Sequence, residues 1–202
     1  MRQSSKIIGI AALFTSIAFA GQALALDIGD SIVEIKTEMQ SIEDETVTIE
    51  SIKGEKGTLV MFSCVHCPAV KAYNERLAKI GNEYQKKDIG VIYINSNNPE
   101  YSRGEDGVEG MRDQAQRYGY EFPYVIDSTS NIARAFGAAR TPEAFLFDAD
   151  GKLVYTGTLD NNMRNADAAD RHYLREALDA LLAGEEVATK KTRAVGCTIK
   201  FR

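Results

Sequence analysis

Thr58-Leu59-Val60-Met61-Phe62 is an unbroken apolar run, and Ser63-Cys64-Val65-His66-Cys67-Pro68 follows it directly. A run without polar alternation reads as a strand buried on both faces, in the middle of a sheet covered by helices. Beyond Pro68, the residues Val70, Tyr73, Leu77, Ile80 and Tyr84 recur at steps of three and four, the spacing of one apolar helix face. The two cysteines therefore mark the point where a central strand gives way to a helix. That junction limits the chain to a layered α/β architecture.

The remainder of the chain extends the pattern. Val91-Ile92-Tyr93-Ile94 is a second buried strand, and Asn95 to Gly107 is loop-like, rich in Asn, Ser and Gly. A helix is predicted from about Val108 to Tyr118, then an extended stretch Phe122–Ile126, then a short helix capped by Ser130 and running to Phe136. Glu143 to Phe147 and Lys152 to Thr158 form a hairpin through Asp148-Ala149-Asp150-Gly151. A last helix, capped by Asp167, presents Leu174, Ala177, Leu178, Leu181 and Leu182 on one face and stops at Gly184. Val47, Ile49 and Ile52 suggest short edge strands before the first buried one. Strands alternating with helices and a late hairpin predict a mixed sheet with helices on both faces.

The first residues read as an address. Arg2 and Lys6 precede an apolar run from Ile7 to Ala20, and Ala23-Leu24-Ala25 offers small residues to a signal peptidase. The run falls short of the roughly 20 residues of a membrane span. The expected organisation is a signal peptide at 1–25 cut after Ala25, a domain at 26–185, and a polar C-terminal tail at 186–202 lying over the surface. Such a chain is periplasmic or secreted, with no stable membrane insertion after cleavage, and disulfides persist there. The net charge of −5 becomes −7 once Arg2 and Lys6 are removed, an acidity that speaks against a nucleic-acid partner.

The cysteine spacing carries the chemistry. A thiol at the start of a helix has its thiolate stabilised by unpaired backbone N–H groups, and a second cysteine three residues on lies within disulfide reach. Pro68 suits a first helical turn, where its missing N–H costs nothing. Cys64 is expected as the attacking thiolate, Cys67 as the resolving thiol, and a protonated His66 as a further stabilising charge. A zinc site would need a second ligand pair at suitable spacing, and Cys197 and His172 are too scattered to supply it. No metal and no cofactor are called for. Cys197, in a tail with Lys190, Lys191, Arg193, Lys200 and Arg202, has two readings: a third redox thiol that folds back to the couple, or a small residue that pins the tail or pairs elsewhere.

A strand–CxxC–helix followed by Thr141-Pro142, a hairpin and a terminal helix resembles the thioredoxin superfamily. Phe62 to Lys71, Gly119-Tyr120-Glu121-Phe122-Pro123-Tyr124, Leu146-Phe147-Asp148, Gly157-Thr158-Leu159-Asp160 and Gly196 to Lys200 are similar to its peroxiredoxin-like redoxins. The resemblance implies a thioredoxin-like fold and a cis-Pro142 facing Cys64 and Cys67. It also implies that Thr141 and Pro142 bind a substrate segment by short strand addition. The implied activity is thiol–disulfide exchange with protein thiols or disulfides, served by a thiol electron donor or acceptor.

The chain also departs from its relatives. Arg140 stands where many carry a further cysteine, no tryptophan precedes the motif, and Thr58–Phe62 holds no carboxylate to move a proton. That duty would fall to water, His66 or Glu143. Met61, rather than Thr or Ser, stands three residues before Cys64, so peroxide scavenging is the weaker alternative. A copper- or zinc-binding module using the same cysteines is another. His66, directly before the second cysteine, hints at an oxidising couple.

Overall fold

The computed structural model describes residues 25–202; the expected signal peptide lies outside the described residues, apart from Ala25. Nine strands form, β1 (Met39–Ser41), β2 (Thr46–Val47), β3 (Gly57–Phe62), β4 (Ile89–Asn95), β5 (Tyr124–Ile126), β6 (Arg140–Thr141), β7 (Glu143–Asp148), β8 (Leu153–Gly157) and β9 (Cys197–Thr198). The helices are α1 (Pro68–Gln85), α2 (Val108–Tyr118), α3 (Asn131–Phe136) and α4 (Tyr173–Ala183). Seven strands make one sheet in the order β2-β1-β5-β4-β3-β7-β8, and β6 and β9 pair apart from it. The central strands β3, β4 and β5 run parallel, while β7, β8, β1 and β2 add antiparallel pairs on either side. This is the mixed sheet expected from the sequence.

Alternation along β3 divides the core in two. Leu59 and Met61 point to a layer built from Val70, Tyr73, Leu77 and Tyr84 of α1, Met111 of α2, and Leu174 and Leu178 of α4. Val60 and Phe62 point to the opposite layer, where Ile132, Ala133 and Phe136 of α3 meet Leu26 and Ile49 of the N-terminal segment. With side chains at period two, each strand residue chooses a layer, so an all-apolar strand requires helices on both faces. Phe62, Phe136 and Phe145 meet edge-on, with ring centroids 5.4–5.7 Å apart.

Several local expectations change. Ser130 occupies the residue before α3, but its hydroxyl donates to the Ser96 carbonyl and accepts from Arg202 N. Asp127 meets the helix instead, accepting from Ala133 N at 3.0 Å. Asp167 lies in a separate 3-10 turn, and α4 starts after His172, whose N–H donates to Glu176. His172 itself is exposed, as its position beside charged residues suggested. Ile49 and Ile52 flank or enter a 3-10 turn and do not extend an edge strand. The tail does more than lie over the surface. Thr192 N donates to Thr156 O, Val187 and Ile199 are buried, and Cys197 sits in β9.

Candidate active site

The chain leaves β3 at Phe62. Ser63 N donates to Ile94 O at 2.9 Å, one residue past the last ladder pair. Helix α1 begins at Pro68 with Cys67 as its N-cap residue. The helix terminus therefore bears on Cys67, and Cys64 lies buried three residues upstream. The dipole's effect is confined to the first turn, so in this disulfide form it bears most directly on Cys67.

Cys64 is a free, fully buried thiol. Its Sγ lies 3.1 Å from Thr141 Oγ1, and its carbonyl accepts from Gln114 Nε2 at 3.3 Å. Gln114 in turn donates to Asn74 Oδ1 at 2.8 Å, which ties α2 to α1 beneath the motif. Burial, followed by the negative charge of Asp106, pushes the Cys64 thiol up to about 12, although hydrogen bonds from Thr141, Cys67 N and Asn97 act in the opposite sense. The environment favours the thiol over the thiolate.

Asp106 was not legible as a site residue. It lies in the loop between β4 and α2, yet its carboxylate is completely buried. Oδ1 accepts from Val65 N at 2.7 Å and His66 N at 3.3 Å, and Oδ2 meets His66 Nδ1 at 2.6 Å and Asn97 Nδ2 at 3.1 Å. The Asp106 carbonyl accepts from Asn95 Nδ2. These bonds fix the Val65-His66 turn between the two cysteines. His66, expected to steady a thiolate, is engaged by this carboxylate. The one sequence signal for Asp106 was its place in a polar loop after the carboxyl end of a parallel strand, where α/β sheets gather their sites.

The peptide bond between Thr141 and Pro142 is cis. Cys67 Sγ lies 3.3 Å from Thr141 O, so both motif sulfurs touch the same residue. Glu143, considered as a proton carrier, instead accepts from Ala139 N at 2.8 Å and Arg140 N at 2.9 Å and shapes the turn into β6. Burial raises its carboxyl above the ordinary range. Arg140 binds the tail, with Nη1 donating to Gly196 O and Thr198 Oγ1. A cleft of about 440 Å³ opens beside the motif, lined in part by Val65, Lys71, Asn74, Glu105, Gln114 and Tyr118.

Cys67 and Cys197 form a disulfide across 130 residues of sequence, with Cα atoms 6.0 Å apart. The tail thus folds back to the motif, with Cys67 bonded to Cys197 and Cys64 free.

A family model described as Redoxin matches residues 28–171. The chain belongs to the redoxin family. Its relatives include the thiol-disulfide oxidoreductase ResA of Halalkalibacterium halodurans, 29% identical over 152 residues that cover 74% of this chain and 80% of that protein. A hypothetical protein of Sinorhizobium meliloti superimposes with a TM-score of 0.80 at 32% identity, covering 90% of this chain and 98% of that one. A thioredoxin-like protein in its oxidized form shares the fold at a TM-score of 0.59 and 19% identity, covering 79% and 97%. The convergent sulfurs and these relatives make this redoxin a thiol–disulfide oxidoreductase with a thioredoxin-like fold.

Proposed function

We propose that this redoxin is exported and exchanges disulfides with protein thiols through Cys64 and Cys67, acting as a reductant. The observation that carries the reading is the meeting of Cys64, Cys67 and Cys197 at Thr141. Cys67, at the helix terminus, attacks a sulfur of the client disulfide and forms a mixed disulfide. Cys64 then attacks Cys67 Sγ, the client leaves as a reduced thiol, and the Cys64–Cys67 bond holds the two electrons' worth of oxidation. Thr141 and Pro142 receive the client segment at the β6 edge. His66 and Asp106 hold the turn that separates the sulfurs. Cys197 is a third redox thiol that exchanges with the couple.

The Cys64 environment supports the reducing direction. Strong disulfide donors owe their potential to a stabilised thiolate in the reduced form. Here burial and Asp106 act against the Cys64 thiolate, which supports the reducing direction. It weighs against the oxidising hint drawn from His66. Equilibration with glutathione should give a potential near or below about −270 mV, and a value near about −120 mV would reverse the direction. Protein clients are tested with a Cys64→Ser, Cys197→Ser variant, in which a mixed disulfide on Cys67 cannot be resolved. Recovery of no adducts from the expressing cell removes protein clients. Export predicts a mature chain beginning at Leu26.

A second reading draws on one observation. Donor atoms of Cys64, His66 and Asp106 lie within 4.8 Å of one another, a cluster able to hold copper or zinc. The bonds from Val65, His66 and Asn97 that fill both Asp106 oxygens weigh against it. Metal content after anaerobic purification of the reduced protein separates the two.

A further inference from the structure

The disulfide is one of many ties between the tail and the site. Strand β9 pairs antiparallel with β6, Thr198 opposite Arg140 and Cys197 opposite Thr141. Ile199 N donates to Ala139 O at 3.0 Å, and the Ile199 side chain is buried. On the other side of the segment, Lys200 N donates to Asn97 Oδ1 at 2.8 Å and Asn98 N donates to Lys200 O at 2.7 Å. The segment is thus held in an extended form between the β6 edge and the loop that also carries Asp106. Strand β6 has no other strand partner among the described residues. Gly196 packs so closely that a Cβ there would run into the Thr141 carbonyl and Pro142 N.

These features are those of peptide capture by strand addition: main-chain ladder bonds for affinity and close steric limits for selectivity. We propose that the segment Gly196–Lys200 is a tethered substrate, filling the edge that a client must use and showing that the preferred client carries glycine directly before its reactive cysteine in an extended stretch. This rests on the reading of Thr141 and Pro142 as the client-binding edge. The Cys67–Cys197 bond is then the internal counterpart of the mixed disulfide.

Opening is a thiol–disulfide exchange within the chain. Cys64 gives up its proton to water and attacks Cys67 Sγ. The Cys67–Cys197 bond breaks as the Cys64–Cys67 bond forms, and Cys197 departs as a thiolate that takes a proton from water. No electrons are gained or lost overall. The tail remains beside the edge until a client segment displaces it.

The test uses two blocked peptides, Gly-Cys-Thr-Ile and Val-Cys-Thr-Ile, each as its glutathione mixed disulfide, with reduced full-length protein. Glutathione disulfide, which needs no strand edge, gives the reference rate. The glycine peptide should react about tenfold or more faster than the valine peptide, relative to that reference. A Gly196→Val chain should react with the glycine peptide about tenfold faster than wild type, because a tethered competitor acts at an effective millimolar concentration. Equal peptide rates, or no gain in Gly196→Val, overturn the proposal and leave the oxidoreductase reading standing. No exchange with the peptides or with glutathione disulfide removes both. Hydrogen exchange on the unmutated reduced protein guards against a folding defect in the variant. The glycine peptide should unprotect the Ile199 and Lys200 amides, and undiminished protection during peptide turnover refutes displacement.

Discussion

Replacing Asp106 with asparagine removes one negative charge lying within 4.8 Å of the Cys64 sulfur while retaining the shape of the side chain. At an effective dielectric constant of about 20, two unit charges at that separation interact by about 3 kcal/mol. At about 1.4 kcal/mol per pH unit, this corresponds to a fall of about two in the Cys64 thiol. The thiol now held at about 12 should therefore titrate lower in Asp106→Asn. The cleanest assay follows the Cβ resonance of protein labelled with ¹³C-cysteine and kept oxidised. The chain has three cysteines, two of them bonded to each other, so Cys64 is then the single titrating thiol. The amide also places an N–H₂ group opposite Asn97 Nδ2 or Val65 N, and losing a buried charge-assisted bond costs about 1.5–3 kcal/mol. Some loss of stability is expected alongside the titration shift. A Cys64 midpoint that stays in place or rises in Asp106→Asn would refute the assignment of this carboxylate as a main source of the raised value.

The same raised thiol makes stability depend on pH. Because the folded value of about 12 exceeds the ordinary 9.0, the native state binds more protons in that interval. The contribution is complete below about 9 and is lost as pH rises through 12. Denaturant melts between pH 8 and 11 should show a decline that a Cys64→Ser protein reduces. Cys197→Ser should cost up to about 5 kcal/mol, the loop-closure entropy of a cross-link spanning 130 residues, read as a lower urea midpoint under oxidising conditions. Gly90→Ala should destabilise by about 1–3 kcal/mol, since its Cβ would meet the Ile52 carbonyl and Gly54 N rather than a movable side chain. A fully stable alanine protein would mean that this backbone crossing can open at no cost.

Much of the fold was readable because its signals are local. The apolar run before Cys64, the steps of three and four after Pro68, and the Asp-Ala-Asp-Gly turn each specify backbone within a few residues of themselves. Their periods correctly gave β3, α1, α2, the β7–β8 hairpin and a sheet buried on both faces. Caps were less readable. Ser130 and Asp167 have side chains suited to a helix start, but a competing carbonyl and a separate turn claimed them. Local chemistry names the residues able to cap, and the packed neighbourhood decides which one does.

The three cysteines divide along the same line. Sequence alone established that Cys64 and Cys67 stand where a buried strand meets a helix, because both elements are written in adjacent residues. Only the tertiary structure decided that Cys67 is bonded to Cys197, that Asp106 is buried beside Cys64, and that the tail fills the β6 edge. Those contacts join residues 130, 42 and 56–58 positions apart. Chain closure over such distances leaves no periodic mark in a sequence, since it is set by how the layers pack. The local reading supplied the reactive groups, and the long-range packing set the charge and the partner each one meets.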